Sequence, residues 1–360
     1  MESKTGIRSG AEDGSVALLL RQLPALRGNC LLIADENWPN TSWANINNLT
    51  QCNINLVSNR FDIARQANAA GLQCQFSDWD FSGFPDHSMD TVLFRVSKER
   101  ASSHHIINQA ARLLTAGGTL MLTGEKNDGV KSYVKQACKL FGDRSLGEKH
   151  GNHYLAKLCL QTLDGGHLPD KDYGQLRPIK SNPEYSYSSK PGIFGWDKID
   201  RGSAFLMEHF AEFLQGFKHQ PKTLVDLGCG YGYLACEASR HGFDKIIATD
   251  NNAAALTAVA ANFSSQLNID YSVIAGDAGD MVEGRFDSLL CNPPFHQGFS
   301  IDGDLTNRFL ASAKRLLNPN GRALFVVNTF IPLEQKAKQF FAKVEVVSNN
   351  GSFKLVALAH

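Results

Sequence analysis

Lys222-Thr-Leu-Val-Asp-Leu-Gly-Cys-Gly-Tyr-Gly-Tyr-Leu-Ala-Cys-Glu-Ala-Ser-Arg240 reads as an apolar strand, a glycine-rich turn and the start of a helix. The strand ends at about Asp226, glycines follow at 228, 230 and 232, and the helix opens at about Tyr233. Alternate glycines let the backbone turn tightly and let a ligand approach without meeting a Cβ. A dinucleotide fingerprint, G-x-G-x-x-G, would need glycine at 233, where the chain has Tyr233. A pyrophosphate at a helix N-terminus also needs no acid just before the first glycine. Asp226 calls instead for a ligand with positive charge or donor groups, a description that an adenosyl sulfonium with an amino-acid tail meets.

The next two apolar runs extend this pattern. Lys245-Ile-Ile-Ala-Thr-Asp250 ends in an acid placed to accept two ribose hydroxyls, and Tyr271-Ser-Val-Ile-Ala-Gly-Asp277 brings Asp277 and Ala278 to the same edge, suited to an adenine amine. Taken singly, Asp226 and Asp250 read as well as helix caps, and Asp277 as a turn residue. With the glycines, three acids at three consecutive strand ends define one crevice.

A fourth run, Phe286-Asp-Ser-Leu-Leu-Cys291, leads into Asn292-Pro-Pro-Phe-His-Gln-Gly298. Two prolines stiffen this loop and remove two backbone donors, so it offers carbonyls. A planar exocyclic amine becomes nucleophilic when acceptors draw its N–H groups, and the Asn292 side-chain oxygen and the Pro293 carbonyl are such acceptors. Pro294 and Phe295 belong to the same substrate loop, Phe295 as a ring on which a flipped base can stack.

The first half repeats this layout. Ala110-Ala-Arg-Leu-Leu-Thr-Ala-Gly-Gly-Thr-Leu-Met-Leu-Thr123 matches Ala313-Lys-Arg-Leu-Leu-Asn-Pro-Asn-Gly-Arg-Ala-Leu-Phe-Val326, and Met89-Asp-Thr-Val-Leu-Phe94 matches Phe286-Asp-Ser-Leu-Leu-Cys291. Each half alternates β-rich runs with helical stretches, so two tandem Rossmann-like α/β folds with mainly parallel sheets are expected from duplication. A length of 360 residues fits two domains. The boundaries read as 1–165 for a degenerate copy, 166–190 for a linker rich in turn-forming residues, and 191–360 for the copy that carries the chemistry.

Where the second half has glycines, the first has Asp35-Glu-Asn-Trp-Pro-Asn40, and in place of Asn-Pro-Pro-Phe it has Arg95-Val-Ser-Lys-Glu-Arg100. Cofactor binding by that copy is not expected. Arg95, Lys98 and Arg100 are candidates for contact with a polyanionic substrate, and Lys131, Lys135 and Lys139 recur every four residues, as a phosphate-binding or a solvated helix face would.

Whole-chain arithmetic excludes several classes. Hydrophobic residues at 43% and charged residues at 20% are globular composition. Lys+Arg and Asp+Glu are 36 each, so a polyanion would meet local patches and no overall positive field. Eight scattered cysteines without a Cys-x-x-Cys pair argue against zinc and for a reducing cytoplasm, and no apolar window is long enough to span a membrane.

On the glycine loop, the three acids and Asn-Pro-Pro-Phe, residues from about 190 to 360 resemble the class I S-adenosylmethionine-dependent methyltransferases. Asn-Pro-Pro-[Phe/Tyr/Trp] is that group's signature for planar nitrogens: adenine N6, guanine N2 or a glutamine amide. Pro191-Gly-Ile-Phe-Gly-Trp-Asp-Lys-Ile-Asp-Arg-Gly-Ser203, Val327-Asn-Thr-Phe-Ile-Pro332 and the duplicated first half together resemble the ribosomal RNA guanine-N2 methyltransferases, most nearly the small-subunit (16S) methyltransferase C family.

The resemblance implies S-adenosylmethionine as cofactor, an antiparallel hairpin strand closing each fold, and a first copy without cofactor. It implies the methionine end at Asp226, Gly228, Gly230 and Gly232, the ribose at Asp250, the adenine at Asp277 and Ala278, and Asn292 beside cofactor and base alike. Asn292, Pro293 and Phe295 then form the catalytic loop, acting without metal in a cytoplasmic monomer on 16S rRNA or the small subunit. Tyr231 stands where many relatives carry a small residue. The large-subunit guanine enzyme, adenine-N6 and glutamine methyltransferases, and a non-enzymatic RNA-binding assembly protein are the alternatives.

Overall fold

The structure, a computed structural model, describes residues 13–39, 41–162, 166–179, 186–294 and 303–360. It divides into two compact units, Met1–Gln175 and Leu176–His360.

The first unit holds a seven-stranded sheet of β1 (Asn29–Ala34), β2 (Asn53–Ser58), β3 (Cys74–Phe76), β4 (Met89–Arg95), β5 (Leu114–Glu125), β6 (Glu148–His150) and β7 (His153–Cys159), in the order 3-2-1-4-5-7-6. The pairs from β3 through β5 are parallel, whereas β7 runs antiparallel to both β5 and β6. The second unit opens with a short antiparallel ribbon, β8 (Arg177–Pro178) with β9 (Ser188–Ser189). Its own seven strands are β10 (Thr223–Leu227), β11 (Lys245–Asp250), β12 (Asp270–Ala275), β13 (Phe286–Cys291), β14 (Leu317–Asn328), β15 (Lys343–Asn349) and β16 (Phe353–Ala359). Their order, 12-11-10-13-14-16-15, repeats the first sheet strand for strand, with β16 antiparallel to β14 and β15.

Duplication is visible in detail. Helices Arg100–Leu113 and Gly303–Leu316 each span 14 residues, and β5 and β14 each span 12, with the same succession of buried and exposed positions. The pairing of β4 with β5 slips between Met89 and Thr91, and that of β13 with β14 slips between Phe286 and Ser288. The turn before each slip is held by a glycine: a Cβ on Gly118 would lie 2.9 Å from the Thr115 carbonyl oxygen, and one on Gly321 the same distance from that of Phe286.

Central strands buried on both faces carry near-continuous apolar runs, as parallel sheets require. The described residues of 166–190 are packed against the two units and do not form a free linker. Tyr173, fully buried, belongs to the first unit's core, and Ile179 and Tyr187 belong to the second's, because apolar side chains at these points are taken up by the nearer core. In both sheets the strand order reverses between the first and fourth strands, which run parallel, and this is the switch point at which doubly wound folds bind ligands beyond the carboxyl ends of their strands.

Candidate active site

In the second unit that edge collects the acids and glycines read from the sequence. Strand β10 runs one residue past Asp226, to Leu227, and the helix Tyr233–Ala238 follows the turn. Gly228, Gly230 and Gly232 all have positive φ, at 78°, 54° and 88°. Two of them serve different ends. A Cβ on Gly232 would stand 2.5 Å from Val259 Cγ2, so close packing of helix Ala253–Gln266 forbids a side chain there. Among the described residues a Cβ on Gly230 would meet only Ile193 Cγ2, at 3.9 Å, so this glycine leaves room over the loop. The Gly228 and Cys229 N–H groups donate to the Thr249 carbonyl at 2.9 and 3.1 Å, tying the loop to β11.

Asp226 is fully buried. Its Oδ2 accepts from Ala235 N at 3.1 Å, and its Oδ1 has no partner among the described residues. Burial pushes its carboxyl up to about 7, the Ala235 N–H opposing the shift and the Asp250 charge adding to it. An orphaned buried carboxylate oxygen in a crevice fits a cationic or hydrogen-bond-donating ligand group.

Asp250, half-buried at the end of β11, accepts from Gly230 N through Oδ2 and from Asn252 N through Oδ1, both at 2.9 Å. Asp277 accepts from Asn251 Nδ2 at 3.3 Å and is ion-paired with Arg308. Ala278 holds a left-handed backbone, φ 50°, which few non-glycine residues adopt. It is buried beside Gly279, whose own Cβ would meet Leu227 Cδ1 at 2.5 Å. The crevice therefore carries three carboxylates from three strand ends.

Asn292 follows β13 directly. Its Nδ2 donates to Asp200 Oδ2 at 2.8 Å and to Ser203 Oγ at 2.9 Å. Pro293 is buried and Pro294 exposed. Phe295 lies outside the described residues. Sequence reasoning passed over Asp200 and Ser203, although Asp200-x-x-Ser203 has the spacing of a helix cap, and it missed Arg308 altogether. Tyr231 is buried, and its hydroxyl donates to the Lys198 carbonyl at 3.3 Å, fastening the glycine loop to the segment before Asp200.

The equivalent edge of the first unit is built otherwise. Trp38, buried after β1, stacks on Trp43 with centroids 5.8 Å apart. Arg95, expected at a substrate edge, is 5% exposed; it forms ion pairs with Asp13 at 3.0 Å and Asp128 at 2.8 Å, and it donates to the Val96 carbonyl at 2.6 Å. Burial acts to lower its pKa, but the two aspartates outweigh it and hold the guanidinium above its ordinary value. A cation so engaged does not face a phosphate, which corrects the sequence reading for Arg95. Lys98 and Arg100 are exposed, as are Lys131, Lys135 and Lys139.

Among the described residues no group of three His, Cys, Asp or Glu side chains is arranged to hold a metal ion, and no helix is long and apolar enough to cross a membrane.

Comparison with known proteins bears on both units. The methyltransferase small domain family matches residues 184–357, and the N-terminal domain of the same family matches 16–144. The ribosomal RNA small subunit methyltransferase C of Shewanella loihica is 28% identical over 306 residues, 83% of this chain and 84% of that protein. The protein of the same name from Alcanivorax borkumensis is 25% identical over 344 residues, 95% of this chain and 98% of its own length. A solved structure, the T. thermophilus 16S rRNA N2 G1207 methyltransferase in complex with AdoMet and guanosine, has a TM-score of 0.82 at 23% identity, covering 98% of this chain and 93% of that one, and so shares the fold. With its sheet order, its glycine loop and both halves matched, the chain belongs to the class I S-adenosylmethionine-dependent methyltransferases.

Proposed function

We propose that this chain is an S-adenosylmethionine-dependent methyltransferase acting on the N2 amine of a guanine in 16S rRNA of the small ribosomal subunit. The observation that carries the reading is the Asn292 amide: its nitrogen is committed to Asp200 and Ser203, which leaves Oδ1 as an acceptor beside the glycine loop. Proteins named ribosomal RNA small subunit methyltransferase C match 83% and 95% of the chain, and the solved structure that shares its fold is named a 16S rRNA N2 G1207 methyltransferase, which favours guanine N2 over adenine or glutamine.

The residues present fit the cofactor. Asp226 and the glycines at 228, 230 and 232 would hold its methionine end, Asp250 the ribose, and Asp277 with Ala278 the adenine. When bound, S-adenosylmethionine supplies an electrophilic methyl group on a sulfonium. The chain's contribution is positioning. Asn292 Oδ1 and the Pro293 carbonyl accept the N–H groups of the guanine amine and aim its nitrogen, while Pro294 and Phe295 border the base. No strong base is needed, because the amine grows acidic as it is alkylated.

In this reading the first unit holds RNA, with Lys98, Arg100 and the Lys131–Lys135–Lys139 face as its phosphate contacts. The protein works as a cytoplasmic monomer.

Methyl transfer from labelled cofactor to purified small subunits, free 16S rRNA and free 23S rRNA tests the proposal, with nucleoside analysis of the product. N2-methylguanosine confined to 16S rRNA is expected. N2-methylguanosine in 23S rRNA alone, N6-methyladenosine, or no RNA methylation overturns it. Asn292→Ala is expected to bind the cofactor normally and to lose roughly 10² or more in transfer rate, the scale of one oriented polar group.

A further inference from the structure

The Asn292 amide has one sensible orientation, and the chain enforces it from a distant segment. Asp200 lies 92 residues away in sequence, and its Oδ2 receives both Asn292 Nδ2 at 2.8 Å and Ser203 N at 2.9 Å. A carboxylate only accepts, so the amide nitrogen must face it and the amide oxygen must point away. Ser203 Oγ, at 2.9 Å, takes a second bond from the same nitrogen. Rotating the amide by 180° would set its oxygen against the carboxylate and turn a donor toward a substrate amine that also needs acceptors.

The segment that carries Asp200 is itself anchored. Asn262 Oδ1 accepts from Ser188 N at 2.8 Å, and Asn262 Nδ2 donates to the carbonyls of Ser188 and Tyr231 at 2.9 and 2.7 Å. Asn252 Nδ2 donates to the Gly192 carbonyl at 2.8 Å, and the Tyr231 hydroxyl reaches the Lys198 carbonyl. Asn252 and Tyr231 follow the two strand ends that bear Asp250 and Asp226. The turns that form the cofactor crevice thus also hold the segment that orients Asn292.

The first unit repeats this arrangement with a different group. Asp13 caps its helix by accepting from Val16 N at 2.9 Å, as Asp200 accepts from Ser203 N, and it reaches Arg95, the first unit's counterpart of Asn292, at 3.0 Å. Reach from a helix-capping acid to the end of the fourth strand is thus a property of the fold used twice.

We infer that Asp200, supported by Ser203, is a positioning residue for methyl transfer: it locks the Asn292 amide with its oxygen toward the substrate amine. The inference rests on the function proposed above.

The test is a double-mutant cycle on the full chain, with the transfer rate in single turnover, steady-state kcat and KM, and cofactor affinity by calorimetry. Asp200→Ser keeps a capping oxygen for helix Arg201–Glu208 and is too short to reach the amide. It is expected to lower kcat by about tenfold or more while KM for RNA and cofactor affinity move less than about threefold. Asp200→Asn, with an acceptor oxygen at the original reach, is expected to recover most of that loss. In an Asn292→Ala background Asp200→Ser should cost nothing further, since the group it orients is gone.

Ser203→Ala, which leaves the cap intact, should lower kcat by about threefold and show the same coupling. A fully active Asp200→Ser beside an impaired Asn292→Ala overturns the inference and leaves the proposed function standing. Additive losses also overturn it, because a purely structural cap would act independently of Asn292. A fully active Asn292→Ala overturns the functional reading, and the inference with it.

Discussion

At the end of its fourth strand the first unit carries Arg95 and the second carries Asn292, and the two sheets show that these positions correspond. Cys30 of β1 is opposite Thr91 of β4, and Leu224 of β10 is opposite Ser288 of β13; Arg95 and Asn292 each come four residues later. Each meets the acid that caps the unit's first helix, Asp13 or Asp200. The guanidinium is buried between two carboxylates, whereas the amide is half-buried with an oxygen to spare. A strand end that has given up chemistry still carries a polar frame that must be satisfied, and a charge that satisfies it from within makes the edge a structural joint. A neutral amide satisfies the same acid and stays available to a substrate.

The largest expected effect breaks this comparison from the first unit's side. Arg95→Met would leave Asp128, with only 4% of its side chain exposed, and Asp13 without their counter-charge. Removing one partner of a buried ion pair costs about 3–5 kcal/mol. Denaturant unfolding should show the first unit's transition moved to lower denaturant, with cofactor binding by the second unit retained. An unmoved transition would mean that Arg95 is not what holds that edge together.

Some of this was legible in the sequence, for reasons tied to distance along the chain. Glycines at 228, 230 and 232 and the acids at 226, 250 and 277 each sit at a strand end, where the residue and its structural cause are a few positions apart. The duplication was readable because Gly118 and Gly321 mark one turn in two copies. Arg95 was misread because its partners lie far off, Asp13 being 82 residues away, and an exposed and a buried arginine look alike in a string of letters. Asp200 was passed over for the same reason, since nothing near it announces Asn292. The supposed linker differs in another way: its turn-forming composition gave no sign that Tyr173 and Tyr187 are taken up by the two cores.

A smaller effect sharpens the second unit's side. Burial puts the Asp226 carboxyl at about 7 in the folded chain against an ordinary 3.8. A raised folded-state value means that this group's contribution to stability is full below about pH 4 and is lost as pH rises through about 7. A cationic ligand group favours the ionised form, so cofactor binding at pH 6 should release close to one proton. Calorimetry in two buffers of different ionisation enthalpy counts that proton. In Asp226→Asn the release should vanish and affinity should fall by about tenfold, the scale of one charged hydrogen bond. Unchanged proton release in that variant would assign the crevice's charge recognition elsewhere.

The smallest effect asks what the first unit keeps once its strand edge is a joint. Lys135 and Lys139 stand exposed on helix Val130–Phe141, and Lys131, also exposed, lies 4.8 Å from the Tyr154 ring centroid, which leaves it less free to move. Replacing all three by Gln should leave stability within about 0.5 kcal/mol, as surface changes do. Cofactor affinity should not change, since the cofactor residues belong to the second unit. If these lysines meet phosphates, the dependence of RNA affinity on salt should weaken by about 0.7 in log–log slope for each phosphate no longer neutralised, so by about 2 for all three, with Lys131 giving the least. Such a change would place RNA holding on the copy without chemistry. A slope that does not move would make the stripe a solvated helix face and would leave Lys98 and Arg100 as the first unit's remaining exposed candidates for RNA.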